Sequence, residues 1–118
     1  MMGDTAMVSI DGQGRALGAV VYQNFQPEYG TIELSAAAQS KRWLSRSVLK
    51  DMFDYPFNQL GSQAVILRCA ENDTVMGRIA PAYGFTRYDM PRLRGRDQAE
   101  TIYILPDDVW RARQKDSA

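Results

Sequence analysis

A single α/β domain with a mixed sheet is the fold class this sequence predicts, and three observations carry it. From Thr31 to Ala70 the chain reads strand, helix, strand. A crossover of that kind places its two strands parallel and side by side. Asp11-Gly12 lies between two apolar runs, a hairpin signal that makes the strands before and after it antiparallel neighbours. The chain has 118 residues, enough for one core, and shows neither an internal repeat nor a linker. One domain spanning 1–118 is therefore expected, with its core at about 5–110 and a flexible polar tail at 111–118.

The elements follow in order. Met7 to Ile10 is a short apolar strand. Ala16 to Phe25 is a second strand, apolar on both faces in part and so placed inside the sheet. Gln26-Pro27-Glu28-Tyr29-Gly30 is a turn, and Thr31 to Ala38 is the third strand. Leu44, Val48, Leu49, Met52 and Phe53 then recur at steps of three and four, the spacing of a helix with one buried face. Asp54-Tyr55-Pro56-Phe57 is expected to end it, because the residue before a proline avoids the helical region. Gln63 to Ala70 is a buried fourth strand. Glu71-Asn72-Asp73-Thr74 supplies N-cap candidates for a helix reaching about Tyr83, with Val75, Met76 and Ile79 on its apolar face. Pro81 is unfavourable inside that helix, and Gly84 closes it. Phe85 to Tyr88 begins a strand, Pro91 to Arg96 is a basic connection, and Glu100 to Leu105 is the last strand. Pro106-Asp107-Asp108-Val109-Trp110 starts a short terminal turn or helix.

The charges on the first helix run against its dipole. Lys41, Arg42 and Arg46 stand at its start, whereas Asp51 and Asp54 stand near its end. The positive end of a helix prefers anions, and each misplaced charge costs a few tenths of a kcal/mol or more. A bound anion would reverse that sign, since free N–H groups and basic side chains at a strand-to-helix turn can cradle a phosphate. A solvated basic corner without a ligand accounts for the same residues.

Composition excludes several chemistries. Fourteen basic and fourteen acidic residues give zero formal net charge, which disfavours broad binding to nucleic acid without ruling out a local basic patch. The chain has no histidine, so imidazole acid–base catalysis, histidine metal sites and Ser–His or Cys–His pairs are excluded; no metal site is expected. Cys69 is the one cysteine, compatible with the cytosol and read as a small core residue. No apolar run approaches the ~20 residues that cross a bilayer, and the N-terminus does not read as a secretory signal.

With these elements laid out, the chain resembles the GCN5-related N-acetyltransferase (GNAT) family. The strand, basic turn and helix at Thr31 to Phe53 stand where that family binds the pyrophosphate of acetyl-CoA. Ala64 to Arg68 leads into Glu71-Asn72-Asp73 and a helix ending in Tyr83-Gly84-Phe85, similar to the family's Asn…Gly-Phe segment. An Arg-bearing hairpin, Tyr88 to Ile104, and a terminal Asp-Asp-Val-Trp resemble the family's closing strands and tryptophan. Lys41-Arg42-Trp43-Leu44 and Tyr55-Pro56-Phe57 look most like the small GNAT-like proteins of bacteriophages. The resemblance implies a mostly antiparallel mixed sheet with helices on both faces, lacking the family's N-terminal strand and first two helices. It also implies acetyl-CoA as cosubstrate.

The resemblance further implies site residues. The backbone of Leu34, Ser35, Ala36 and Ala37 would splay to hold the pantetheine arm. The small Ser35-Ala36-Ala37-Ala38 run fits such an approach, and fits tight helix-on-sheet packing equally well. The family's phosphate loop reads Gln/Arg-x-x-Gly-x-Gly/Ala. Here Gln39-Ser40-Lys41-Arg42-Trp43-Leu44 has Arg42 and Leu44 where glycine and a small residue would be, so Lys41, Arg42 and Ser45 side chains would have to substitute for backbone N–H groups. Glu33 is the base candidate, or else a solvent-facing charge on an alternating strand. The family's acidic tyrosine falls nearest Ala80, or Ile79 if Asn72 sets the register; Tyr83 lies further on, as general acid or packing residue. Asn72 and Asp73 either touch the cofactor or only cap the helix. Arg92, Arg94 and Arg96 suit an acidic partner or a solvated loop, and nucleic acid is disfavoured because aromatics are not interleaved.

Two functions are expected from this. One is transfer of an acetyl group from acetyl-CoA to an amine, such as a protein lysine or N-terminus. The other is a catalytically inactive GNAT-like protein, phage-encoded, that docks on a host protein. Both place the chain in the cytoplasm. Uncovered sheet left by the missing elements favours a homodimer.

Overall fold

The structure is a computed structural model and describes residues 5–10, 16–38 and 46–116, with side chains described for 18–35 and 46–115. Its strands are β1 (Thr5–Ile10), β2 (Ala16–Gln26), β3 (Thr31–Ala38), β4 (Ala64–Ala70), β5 (Thr86–Met90) and β6 (Glu100–Pro106). Its helices are α1 (Arg46–Asp54), α2 (Thr74–Tyr83) and α3 (Asp107–Asp116), and a π-helical turn at Tyr55–Gln59 continues α1. The strands form one sheet in the order β1-β2-β3-β4-β6-β5. Only β3 and β4 pair in parallel, joined by the α1 crossover; the other pairs are antiparallel. This is the mixed, mostly antiparallel sheet expected of a GNAT-like chain.

Strand alternation divides the sheet into two unlike faces. Val20, Tyr22, Ile32, Leu34, Val65, Leu67, Tyr103 and Leu105 share one face and are buried. Met52 and Phe53 of α1, Phe57 of the π-helical turn, Ala80 of α2 and Trp110 of α3 complete the same core. Of the helical cover expected on both faces, the described residues supply the cover of this one. The opposite face carries Gln23, Glu33, Ile66, Arg68, Glu100, Ile102 and Ile104, each exposed in part.

Aromatic packing ties the helices to the sheet. Phe53 stacks on Tyr83 with ring centroids 5.1 Å apart and lies 5.9 Å from Phe85. Phe57 meets Trp110 at 5.1 Å. The Tyr22 hydroxyl donates to the Met52 carbonyl, joining β2 to α1. Each aromatic pair adds about 0.5–1.5 kcal/mol beyond its area burial.

Local chemistry sets the boundaries. Gly30 takes φ +70°, and a Cβ there would stand 3.0 Å from Gln63 Cγ. Its carbonyl accepts from Gln63 N at 2.7 Å, which seats the turn on the start of β4. The Asp73 side chain caps α2 by accepting from Met76 N. Gly84 at φ +124° ends α2, its N–H reaching the Ala80 and Pro81 carbonyls.

Some of these expectations change. α1 ends at Asp54, within the expected stretch, but the helical path continues: the π-helical turn starts at Tyr55, and its second residue, Pro56, is buried with Phe57. The burial of Phe57 against Trp110 outweighs the local preference. On α2 the inward side chains are Met76, Ala80 and Tyr83, whereas Val75 and Ile79 are 52% and 40% exposed. Pro81 stays inside α2, within its last turn. The chain from 111 onward continues α3 as far as Asp116. The Asp11-Gly12 turn lies outside the described residues.

A split between two parallel strands over an apolar cleft

The parallel pair β3/β4 is paired over only part of its length. Thr31 to Leu34 pair with Ala64 to Leu67. Beyond Leu34, β3 runs on beside β2 as far as the Gly18–Ala38 pair. Beyond Leu67, β4 runs on beside β6 as far as the Ala70–Glu100 pair. Among the described residues the two strands therefore keep their outer partners and separate from each other. Among the described residues, backbone groups of Ser35 to Ala38 and of Arg68 to Ala70 that point into this gap have no ladder partner there. Backbone polar groups seek partners, so this gap suits an extended ligand rich in amides.

The last paired residues, Leu34 and Leu67, form the floor of a cleft of about 640 Å³ on the helical face. That volume lies within the range of small-molecule sites. Leu49, Met52 and Phe53 of α1 make one wall, and Met76, Ile79 and Tyr83 of α2 make the other. Arg78 and Arg113 also line it. The strand split and the cleft meet at one place because α1 and α2, which follow β3 and β4 in the chain, wall the cleft whose floor is the last paired residues, Leu34 and Leu67.

Tyr83 stands on the cleft wall between two flat groups. Phe53 stacks on it, and the Arg113 guanidinium lies over its ring at 4.4 Å from the centroid. Burial pushes the Tyr83 hydroxyl above its ordinary value, partly offset by Trp110, Arg113 and Gln114.

Glu33 lies on the other side of the sheet. Leu34 points into the cleft, so its neighbour Glu33 points to the opposite face. Its side chain is only 12% exposed. One carboxylate oxygen accepts from Arg68 Nε at 2.7 Å, and the other accepts from Asn24 Nδ2. Asn24 takes φ 52° where the β2–β3 register shifts between Gln23 and Gln26; the bulge aims its amide at Glu33. Arg68 also bonds Glu100 at 2.7 Å, and Arg94 holds Glu100's second oxygen at 3.2 Å. A polar ladder, Asn24–Glu33–Arg68–Glu100–Arg94, therefore crosses the second face. Glu100 first, then Glu33, holds the Arg68 guanidinium above its ordinary value.

The remaining sequence-predicted positions fall as follows. Leu34 is buried in the cleft floor. Ser35 is exposed and its hydroxyl accepts from Gln23 Nε2 at 3.3 Å. Ala36 and Ala37 lie on the β3 backbone beside the split. Asp73 caps α2, and Asn72 is exposed in the turn before it. Gln39, Ser40, Lys41, Arg42, Trp43, Leu44 and Ser45 lie outside the described residues. Cys69 is buried in the core, where desolvation raises its thiol. Sequence reasoning missed Arg68, Asn24 and Glu100 as partners of Glu33. A charged residue inside the apolar Val-Ile-Leu-Arg-Cys run was the available signal. It also missed Arg78 and Arg113, which only the packing of α2 and α3 brings to the cleft.

No protein-family profile matches the chain, and no curated protein matches it. Solved structures do match it. A mutant of spermidine N-acetyltransferase SpeG from Vibrio cholerae superposes with a TM-score of 0.80 at 18% identity, covering 94% of this chain and 70% of that one. A dodecameric structure of spermidine N-acetyltransferase from Vibrio cholerae gives 0.78 at 18% identity, over 93% and 68%. A complex of the Vibrio cholerae spermidine/spermine enzyme with manganese ions gives 0.79 at 18%, over 93% and 69%. The chain thus shares the GNAT fold of these acetyltransferases.

Proposed function

We propose that this protein is an acetyl-CoA-dependent N-acetyltransferase acting on an amine. The observation that carries the proposal is the separation of β3 from β4 beyond Leu34 and Leu67, directly over the cleft between α1 and α2. The pantetheine arm of acetyl-CoA is a chain with two amides, and free strand edges at the split can pair with amides while the apolar walls take its methylenes. The chemistry is attack of an amine nitrogen on the thioester carbonyl carbon, with the C–S bond breaking and CoA leaving. In this reading the thioester lies in the gap between β3 and β4, open to both faces: Tyr83, on the cleft side, returns a proton to the departing sulfur, and Glu33, on the opposite face, accepts the proton of an amine that enters from there. Holding the two substrates together supplies most of the acceleration. The neighbours' names make a polyamine the first small amine to test, beside a protein lysine or N-terminus.

Titration calorimetry with acetyl-CoA, and with CoA as control, tests the proposal. Micromolar affinity for both is expected. Absence of heat at millimolar ligand would remove the cosubstrate and the reaction together.

A second reading has its own observation. The Glu33 carboxylate is held by Arg68 on one oxygen and Asn24 on the other, the arrangement of a carboxylate that serves the sheet's structure. A GNAT-like protein without catalysis, docking on a host protein, fits that occupied carboxylate. It is separated from the first reading by turnover: bound acetyl-CoA with no acetylated product from any amine would favour it.

A further inference from the structure

We infer that Arg78, at the rim of the cleft, binds a phosphate group of the CoA nucleotide, so that the protein discriminates acetyl-CoA from an acetyl thioester lacking phosphate. The inference rests on the cosubstrate reading above and adds a residue that neither the basic turn nor the strand split supplies.

Charge distribution in the cleft leads to it. Its floor and walls are aliphatic and aromatic, and the charged side chains that line it are two arginines, with no carboxylate among the described lining residues. Such a cleft suits a ligand with an apolar or neutral body and an anionic end. A guanidinium presents paired N–H donors that match phosphate oxygens.

The two arginines differ in their commitments. Arg113 donates to the Ala82 carbonyl at 3.3 Å and lies over Tyr83, so α2 already holds it. Arg78 makes no hydrogen bond or ion pair among the described residues. It is exposed on α2, one residue before Ile79, which forms part of the wall. Among the described residues, no hydrogen bond or ion pair has to break for its side chain to turn to a bound anion. The chain's formal net charge is zero, so overall attraction does not bring a polyanion to this surface and local cations must.

The test compares CoA with pantetheine, which carries the same arm without phosphate, on the wild-type protein and on Arg78→Ala, Arg78→Lys and Arg78→Glu. The wild type is expected to bind CoA more tightly than pantetheine. Arg78→Ala should weaken CoA about tenfold, leave pantetheine unchanged and flatten the salt dependence of CoA binding. Arg78→Lys should recover part of the loss and Arg78→Glu should deepen it. Because Arg78 is exposed, the melting curves should coincide, which separates binding from folding. Equal CoA affinity in wild type and Arg78→Ala would overturn the inference and leave the cosubstrate reading standing. Equal losses for CoA and pantetheine would also overturn it, by making Arg78 part of the cleft's shape. A wild type that binds neither ligand would sink both.

Discussion

Replacing Glu33 by glutamine separates a base from a structural carboxylate. Glu33→Gln keeps the shape and one acceptor oxygen but removes the charge. Its partner Arg68 is 44% exposed and retains Glu100 at 2.7 Å, so solvent screens much of what is lost. We expect a cost of roughly 0.5–1 kcal/mol, or about 2–4 °C in Tm for a domain of this size. CoA affinity should not change, because Glu33 and the cleft lie on opposite faces of the sheet. If Glu33 takes the amine proton, kcat should fall about 10²-fold or more. The structure adds a condition: an incoming amine would share the carboxylate with Arg68, which already donates to one of its oxygens. Arg68→Ala should then lower the KM for the amine while Glu33→Gln lowers kcat. Steady-state kinetics at saturating acetyl-CoA, with calorimetry for CoA, reads all of these quantities. Unchanged kcat in Glu33→Gln would refute the base role, and the carboxylate would remain only as a link in the ladder.

The other expectations concern the turn, the core and pH. Lys41→Ala combined with Arg42→Ala should abolish CoA binding while leaving the melting curve nearly unchanged; retained affinity would remove the basic turn from the site. Phe53→Ala should cost about 3–5 kcal/mol, since Phe53 is 2% exposed and packs on Phe57, Tyr83 and Phe85. Denaturant unfolding measures this, and a loss under about 1 kcal/mol would mean that the aromatic cluster repacks. Tyr22 is desolvated, and Tyr55 and then Asp51 add to its raised pKa. The folded state binds its proton more tightly than the unfolded chain, so stability is full below about pH 10 and falls as pH rises beyond it. Tyr22→Phe should reduce that alkaline loss while lowering stability near pH 7, because the Met52 carbonyl loses its donor. Asp89 behaves in the opposite sense. The Thr101 hydroxyl, then Arg87, holds its pKa below the ordinary value. Its stabilisation is present above about pH 4 and is lost as pH falls through the depressed value. Asp89→Asn should flatten this acid limb of the unfolding curve, and an unaltered limb would assign it to other carboxylates.

Element order and the parallel pairing of β3 and β4 were legible in the residues alone. Local periodicity carries that information: the steps of three and four through Val48, Leu49, Met52 and Phe53 and the apolar run at Val65 to Leu67 are read one neighbourhood at a time. Capping was legible for the same reason, since Asp73 and Gly84 act on backbone groups within four residues of themselves. Tertiary structure alone decided the rest. The chain goes past Pro56 because Phe57 meets Trp110, more than fifty positions away in sequence. Ala80 rather than Ile79 turns inward, into the core that also holds Phe85 and Phe53, and the docking of α2 on the sheet sets that rotation. Glu33 finds Arg68 only through the β3/β4 register, in which Glu33 stands beside Ile66. The split beyond Leu34 is a relation between two strands, each pulled outward by its own partner, and no stretch of either strand encodes it alone. Contacts within a turn are fixed by chemistry that adjacent residues carry, whereas the site is made by side chains and strand edges that meet only after the core has closed.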